Sequence, residues 1–502
     1  MIVLINPRAT RAPNRRFPLS LMAIGSALPT DTSWEIVDGN RPSVDPLTEV
    51  AGLITRGNAH GDPVRAIALT VMPGPQLVSA VPLTRHLKTT FPFIPILWGG
   101  YFPSLYPQPV LRSDLVDWII RGQGERAVIE WLEMLNGDRV PEDVAGLGWR
   151  AGPGDFRLNP ERRWDGPDEL PEPPYHRIPV DDYLHPTYLG RRSGVYQASI
   201  GCPYGCSFCG VISVFGSRER VQAPERTARH LRWLATRHGM DSVHFYDNNF
   251  FVREDQALEL AERITPLGLR WWCEARIDAM LRFSDTTWRA LRRAGLTMVF
   301  FGAESGSDEV LAKMNKRLTT AETLEVAARC REHGIIPEFS FVLGGPDDPA
   351  SEIDQTLSFI RRLKLVNPAM ELITYFYTPT PQRRGTYGNV DPLAGTPATL
   401  DEWTQPEWVN WMTHEDPHVP WLDPALKRRV DDFVLVMRSR FPSLHDRHTA
   451  RWGQQLARLL SRGRWRTGRY DNPRLLRTVA RLARLHPDRQ AYGHLRQGAG
   501  SS

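Results

Sequence analysis

No run of the 502 residues approaches the ~18 consecutive apolar positions a membrane-spanning helix needs. The first residues, Met1-Ile-Val-Leu-Ile-Asn-Pro7, carry no basic leader and no apolar signal core. They read as a strand rather than a secretory signal. Cysteine is scarce: Cys202, Cys206, Cys209, Cys273 and Cys330 are all there are. An odd number with three members inside eight residues argues against a disulfide framework and for a reducing, cytoplasmic setting. Acidic residues are nearly missing from one stretch. Between Arg447 and Arg496 there are thirteen arginines and two acids, Asp471 and Asp488, a local charge of +11 in a chain whose net charge is +5. The body is therefore acidic, about −6, and no nucleic-acid module or nucleic-acid partner is indicated.

What is present is 41% hydrophobic, enough for several buried cores. Over 1–150, short apolar strands (Ile2–Ile5, Trp34–Val37, Ala66–Val71, Ile94–Trp98, Trp118–Ile120) alternate with helical stretches (Leu19–Leu28, Gln76–Thr89, Arg126–Leu135). That alternation predicts an α/β, doubly wound, Rossmann-like parallel sheet, whose ligand sits at the carboxyl ends of the strands. Those ends carry Pro73, Gly74, Gln76, Gly99, Gly100, Gly122, Gly124 and Glu125. The Gly122-x-Gly124 pair lacks the third glycine of a dinucleotide site. Residues 151–190, with Pro171-Glu-Pro-Pro174, read as a linker.

Six strands beginning near Val195, Ser242, Arg270, Met298, Glu338 and Leu372, with helices between them, predict a partial (β/α)6, TIM-like barrel over 191–395. From 396 to 502 the pattern is helical and Arg-rich. In 472–487, Arg474, Arg477, Arg481 and Arg484 share one helical face, and Leu475, Val479 and Leu482 another. Such a helix suits an anionic surface or, more plainly, docks on the body with its arginines in water. The plainer reading predicts no stable membrane insertion. Tyr375-Phe-Tyr377 and the Trp403, Trp408, Trp411 group read as core packing before they read as a substrate wall.

The chemistry lies in Ser199-Ile-Gly-Cys202-Pro-Tyr-Gly-Cys206-Ser-Phe-Cys209-Gly210, after the first barrel strand. Three thiolates spaced C-x3-C-x2-C can each hold one iron of a cubane cluster and leave the fourth iron open. Zinc would want a fourth ligand at a usual spacing, and none follows. Three coincidental thiols are the remaining reading.

This segment, with its position, resembles the radical S-adenosylmethionine (SAM) superfamily. Further segments fit the same pattern in order: Phe245-Tyr-Asp247-Asn-Asn, Trp272-Cys-Glu274-Ala-Arg276-Ile-Asp278, Phe301-Gly302-Ala-Glu304-Ser305-Gly306 and Phe339-Ser-Phe-Val-Leu-Gly344-Gly-Pro-Asp-Asp. The resemblance implies a [4Fe–4S] cluster on Cys202, Cys206 and Cys209. It implies SAM contacts from Phe208, Asp247, Arg276, Glu304, Ser305 and Gly344. Asp347 and Asp348 stand where the family often has Glu. Read alone, Asp247 could cap a turn, Arg276 and Asp278 could be a solvated ion pair, and Glu304-Ser305 could start a helix.

Residues 1–150 resemble the cobalamin-binding domain that precedes the barrel in one subgroup. The matching pieces are Val3-Leu-Ile-Asn-Pro7, Ile36-Val-Asp38, Thr70-Val-Met-Pro73-Gly74-Pro-Gln76, Trp98-Gly99-Gly100 and Ile120-Arg-Gly122-Gln-Gly124-Glu125. The Asp-x-His-x-x-Gly sequence that supplies an axial histidine is absent, which implies cobalamin without a protein histidine on its cobalt. The resemblance implies a cobalamin-dependent methyltransferase. It would act on an unactivated carbon of a small-molecule or lipid-like intermediate and be fed by a one-electron donor such as flavodoxin or ferredoxin. The same parts serve cyclisation, ring contraction or oxidation in other members. A non-catalytic cobalamin sensor is the reading from another class. No catalytic residue beyond these ligands is indicated.

Overall fold

The computed structural model describes residues 1–9, 15–152, 154–381, 385–444 and 451–483. Two sheets organise the chain, and both are sheets of the predicted kind. The first has seven strands: β1 (Ile2–Asn6), β2 (Trp34–Asp38), β3 (Ala66–Thr70), β4 (Ile96–Gly99), β5 (Trp118–Ile120), β6 (Leu147–Gly152) and β7 (Asp155–Leu158). Their order is β2-β1-β3-β4-β5-β6-β7, parallel through β5. The run Ile2–Ile5 is wholly buried, as expected of a strand covered by helices on both faces. Helix Leu19–Ala27 and helix Glu125–Leu135 pack on one face, around Leu4, Leu97 and Trp131. Helix Pro46–Ala59, which the sequence pattern did not reveal, and helix Pro75–Thr90 pack on the other.

The antiparallel strands β6 and β7 correct one expectation. β6 pairs with β5 and β7 with β6, which carries the first sheet to Leu158, past the boundary drawn at 150.

The second sheet is β8 (Ser193–Tyr196), β11 (Ser242–Phe245), β12 (Arg270–Ala275), β13 (Leu296–Glu304), β14 (Ile336–Leu343) and β15 (Glu371–Phe376), in sequence order and all parallel. This is the six-unit partial barrel. Alternation sorts its side chains. Phe339, Phe341 and Leu343 of β14 join the helix-side core with Ile353, Leu357 and Ile360. The opposite face at the barrel floor is a smaller cluster of Leu189, Trp272 and Met298, with Tyr188, Phe300 and Ile336 against it. Between β8 and β11 the chain inserts a two-stranded antiparallel sheet, β9 (Ser199–Cys202) and β10 (Arg218–Val221), around helix Gly210–Phe215.

Helices Pro424–Arg440, Arg451–Thr467 and Arg474–Leu482 close the described chain and join the barrel core. The last of these corrects the expected facing. Leu476, Val479 and Ala480 are buried, whereas Leu475 and Leu482 are 63% and 70% exposed. Arg477 pairs with the buried Asp432 instead of lying in water. The helix is docked, and Arg484 lies outside the described residues. Trp403, Trp408 and Trp411 pack against one another, tilted or edge-on, and Trp403 reaches Phe102 and Tyr106 of the first sheet's layer at 5.4 and 4.7 Å. They are core. No helix among the described residues is long and apolar enough to cross a membrane.

Candidate functional site

The cysteine loop is held from several sides. Cys202 ends β9 and pairs with Arg218 of β10. Ser207 N–H donates to Met314 O at 3.0 Å, and Asn315 Nδ2 donates to Gly205 O at 2.5 Å. Tyr387 N–H donates to Ser207 O at 3.0 Å. Cys206 is buried, and Cys202 and Cys209 are partly exposed. Burial, and then the Cys206 thiol, push Cys209 up to about 12, and Cys202 shifts upward for the same first reason.

The three thiols therefore sense one another. Among the described residues, however, no three His, Cys, Asp or Glu side chains stand close enough to share one metal ion. A cluster with one thiolate per iron does not require that they do. Two cations stand beside the thiols. Arg276 Nη1 donates to Cys206 Sγ at 3.4 Å, and burial of the Lys316 ammonium is outweighed by Glu304 and Cys206, which hold it above its usual range. The donor set fits an anionic iron–sulfur cluster.

The other expected SAM residues divide. Phe208 lies 5.8 Å from Lys316 Nζ and packs among Met314, Tyr377, Tyr387 and Trp421. Trp421 Nε1 donates to Gly344 O at 3.0 Å, and Trp421 packs on the same Met314, Tyr377 and Tyr387 cluster as Phe208. Gly344 has φ 73°, and a Cβ there would lie 2.8 Å from Leu422. Asp247, fully buried, accepts from Ala198 N at 3.1 and 3.2 Å. This ties the end of β11 to the segment leading into the cysteines instead of capping a turn. Burial pushes Asp247 up to about 7.

Arg276 is neither solvated nor free. Nε donates to Asp278 at 2.8 Å, Nη2 to Lys316 O, and the guanidinium stacks 3.9 Å from the Tyr204 ring. Its observed partners are Asp278, the Lys316 carbonyl, and Cys206 and Tyr204 of the cysteine loop. Glu304, at φ 62°, pairs with Lys316 at 2.6 Å. The Ser305 hydroxyl lies 3.4 Å from the Thr356 hydroxyl and accepts from Ser307 N–H at 3.2 Å. Asp347 pairs with Lys313 at 2.9 Å and Asp348 caps helix Pro349–Val366, while Glu352 accepts from Gly345 N–H at 2.7 Å.

A cavity of about 760 Å³ lies between the carboxyl edge of the first sheet and the barrel. Gln76, Gly99, Gly100, Gly122, Gly124 and Glu125 line it on one side, and Tyr246, Asn248 and Glu274 on the other. Backbone approach is what glycine supplies here. Gly100 has φ 98°, and a Cβ on Gly124 would sit 2.7 Å from Ile24. Ser104 Oγ donates to Gly100 O at 2.7 Å and accepts from Gly122 N–H at 3.1 Å, joining two of the turns. Gln76 is partly structural, donating to Asn6 and Pro7 and accepting from Met72. Pro73 and Gly74 do not line the cavity: the Gly74 turn faces Thr413, 3.1 Å from where a Cβ would be. No histidine lines it among the described residues. Asn248 and Glu274 were not singled out as ligands by sequence, although both sit inside quoted motifs. Burial, then Asp247, push Glu274 up to about 7.

Glu338 was missed altogether. It sits on β14 beside Phe300 and Glu371, fully buried, with no protein partner for either oxygen among the described residues. Burial, then Glu371, push it up to about 8; Arg438 opposes this and Glu274 adds to it. A carboxyl raised in the fold holds a proton that unfolding releases. Stability therefore falls as pH rises from the ordinary glutamate range to about 8. Thermal or urea unfolding of Glu338→Gln should show that slope flattened, by on the order of 3 kcal/mol between pH 5.5 and 8. An unchanged slope would place the carboxyl's neutralisation elsewhere.

With this geometry in hand, residues 196–360 match the family described as the radical SAM superfamily. This chain carries a radical SAM domain. The domain spans the cysteine loop and β11 to β14. Around it, the chain is 26% identical over 352 residues to an uncharacterized methyltransferase of Pyrococcus horikoshii, covering 69% of this chain and 74% of the relative. It is 26% identical over 357 residues to an anaerobic magnesium-protoporphyrin IX monomethyl ester cyclase of Synechocystis, 67% of each. Several other curated relatives are matched over about half their length. The radical SAM methyltransferase TsrM of Kitasatospora setae, solved with cobalamin and a [4Fe–4S] cluster, superposes with a TM-score of 0.64 at 16% identity, covering 96% of this chain and 99% of that one. At that identity the likeness is one of fold: a radical SAM domain set between a parallel N-terminal sheet and C-terminal helices.

Proposed function

We propose that the chain is a cobalamin-dependent radical SAM enzyme that transfers a methyl group to an unactivated carbon of a small-molecule or lipid-like intermediate. The observation that carries this is the shared chamber, which is bounded by the glycine edge of the first sheet on one side and by Glu274 and Tyr246 of the barrel on the other. Cys202, Cys206 and Cys209 would hold the cluster. Phe208, Gly344, Asp247 and Glu304 would surround SAM, with Arg276 and Lys316 offsetting thiolate charge. Gly99, Gly100, Gly122, Gly124 and Glu125 would line the corrinoid site. When bound, the cluster and SAM supply a carbon radical able to take hydrogen from an unactivated C–H, and cobalamin supplies the methyl group.

The chain's own part would be to set the helix that follows Cys209 and the glycine edge around one volume and keep water out. Trp164, Phe215 and Tyr101 do this near the cysteine loop, packed at 4.4 and 5.8 Å. The reductant is a one-electron donor of the flavodoxin or ferredoxin class.

Anaerobic reconstitution with iron, sulfide and cobalamin, then desalting, tests the corrinoid half. The expected spectrum keeps corrin bands without a histidine-ligated signature. A chain that turns over substrate yet retains no corrin would overturn it. The cyclase relative favours a second reading, and product mass separates the two: a gain of CH2 means methylation, a loss of two hydrogens means ring formation or oxidation.

A further inference from the structure

The segment between the two sheets runs along the chamber, fastened at both ends. On the first sheet, Gln123 Oε1 accepts from Asp165 N–H at 2.7 Å, and its Nε2 donates to Asp165 O at 3.3 Å. Arg126 meets the Asp165 carboxylate at 2.6 Å. On the barrel, Arg226 of helix Pro224–His238 is 9% exposed. Its Nη1 donates to Pro167 O at 2.6 Å, and its Nη2 to Leu170 O at 2.9 Å and Pro171 O at 3.0 Å. Its Nε stands 3.2 Å from Glu172, and Ala223 N–H donates to Asp168 at 2.9 Å.

A plain connector has no use for a buried guanidinium gripping three of its carbonyls. Burying that charge costs free energy, which only such a set of acceptors offsets. The prolines at 167, 171, 173 and 174 stiffen the path and remove donors that would otherwise need partners.

Between its fastenings the segment presents Trp164, Pro167, Leu170, Pro171, Pro173 and Tyr175 to the chamber. Trp164 packs 4.4 Å from Phe215, in the helix that follows Cys209, and 3.6 Å from where a Cβ on Gly122 would be. It touches both the cluster loop's helix and the first sheet's edge. Tyr175 is 5% exposed, edge-on to Phe17 at 5.5 Å and stacked on Trp233 at 5.8 Å. Its hydroxyl has no partner among the described residues, although the residue lines the chamber. A buried hydroxyl left unmatched carries a desolvation cost, which a ligand group would recover.

We propose that this strap, residues 164–175, is a third wall of the corrinoid site, stapled in place by Arg226, with the Tyr175 hydroxyl as a hydrogen-bonding contact to the bound corrinoid. The inference rests on the cobalamin reading above. The corrin rim carries carboxamides, each both donor and acceptor, which is the chemistry a phenol can meet in either sense. The strap's apolar members cover the macrocycle and exclude water. Arg226 borders the chamber as well, and is assigned a positioning role because its hydrogen bonds all go to the strap.

The test uses the full chain, reconstituted with iron, sulfide and hydroxocobalamin and desalted, and follows the corrin absorbance retained per chain and its rate of release on dilution. Tyr175→Phe, which removes one oxygen, is expected to speed release about threefold to tenfold. Arg226→Met, which frees the strap, is expected to speed it by at least about tenfold, with iron per chain unchanged. Iron content and the melting temperature show whether Arg226→Met has folded, and Tyr175→Phe stands independently of that variant. If the wild-type chain retains corrin and Tyr175→Phe and a folded Arg226→Met release it at the wild-type rate, the strap is a connector only. If the wild-type chain retains none, the cobalamin reading itself fails and the strap's role falls with it.

Discussion

Chains carrying Cys202→Ala, Cys206→Ala or Cys209→Ala should emerge from anaerobic reconstitution colourless, with iron near zero and no cleavage of SAM. Cys273→Ala and Cys330→Ala should keep both. The contrast follows from where the five thiols stand. Cys202, Cys206 and Cys209 share one loop with Arg276 and Lys316 beside it. Cys273 lies on β12 and Cys330 on helix Thr320–Glu332, both at 0% exposure inside the helix-side core. Burial drives those two thiols far above their usual range, the state of an inert core thiol. Under the proposed assignment each loop cysteine would supply one bond of three from the protein, and losing one would leave an under-ligated cluster. The measurements are iron per chain, visible absorbance and 5′-deoxyadenosine formed from SAM. Loss of the cluster in Cys273→Ala would show that the ligand assignment is wrong.

Lys316→Met should cost about 3–5 kcal/mol of stability. Lys316 Nζ and Glu304 Oε1 are 2.6 Å apart with each side chain 7% exposed, so water does not screen the pair. Removing the ammonium strands a buried carboxylate at the end of β13, in a residue already held at φ 62°. It also removes a positive charge from beside Cys206. Glu304→Gln with Lys316→Met, which leaves no charge behind, should recover much of the loss. Urea unfolding of the wild-type chain, of each single variant and of the double variant measures the cycle. A cost below about 1 kcal/mol for Lys316→Met alone would mean that water reaches the pair after all.

Legibility differed by kind of feature. The barrel strands were readable because each is a short buried run between amphipathic helices, and the predicted starts at Ser242 and Arg270 coincide with β11 and β12. The sheet extension β6–β7 was not, because a Gly- and Arg-containing hairpin at an edge has little apolar alternation to show. Gly100 and Gly124 announced the chamber because a close backbone approach needs them. Gly74 gave the same signal for a different reason, a turn against Thr413. Ser305 fits the motif by position, and that its hydroxyl lies beside Thr356 was not legible, since which side of a strand end a side chain leaves depends on the local bulge between Gly302 and Glu304.

From sequence alone came the two α/β sheets, the cysteine loop at a barrel strand's carboxyl end and the acidic body with its basic end. Each rests on local spacing and periodicity, which chain order preserves. The tertiary structure alone decided that Lys316 and Arg276 flank the thiols, that Ser104 joins two glycine turns and that Glu338 stands buried beside Phe300 and Glu371. It also decided that the presumed linker walls the chamber. Most of those contacts join residues that lie far apart in the chain, and packing, rather than any local propensity, brings them within a few ångströms of one another.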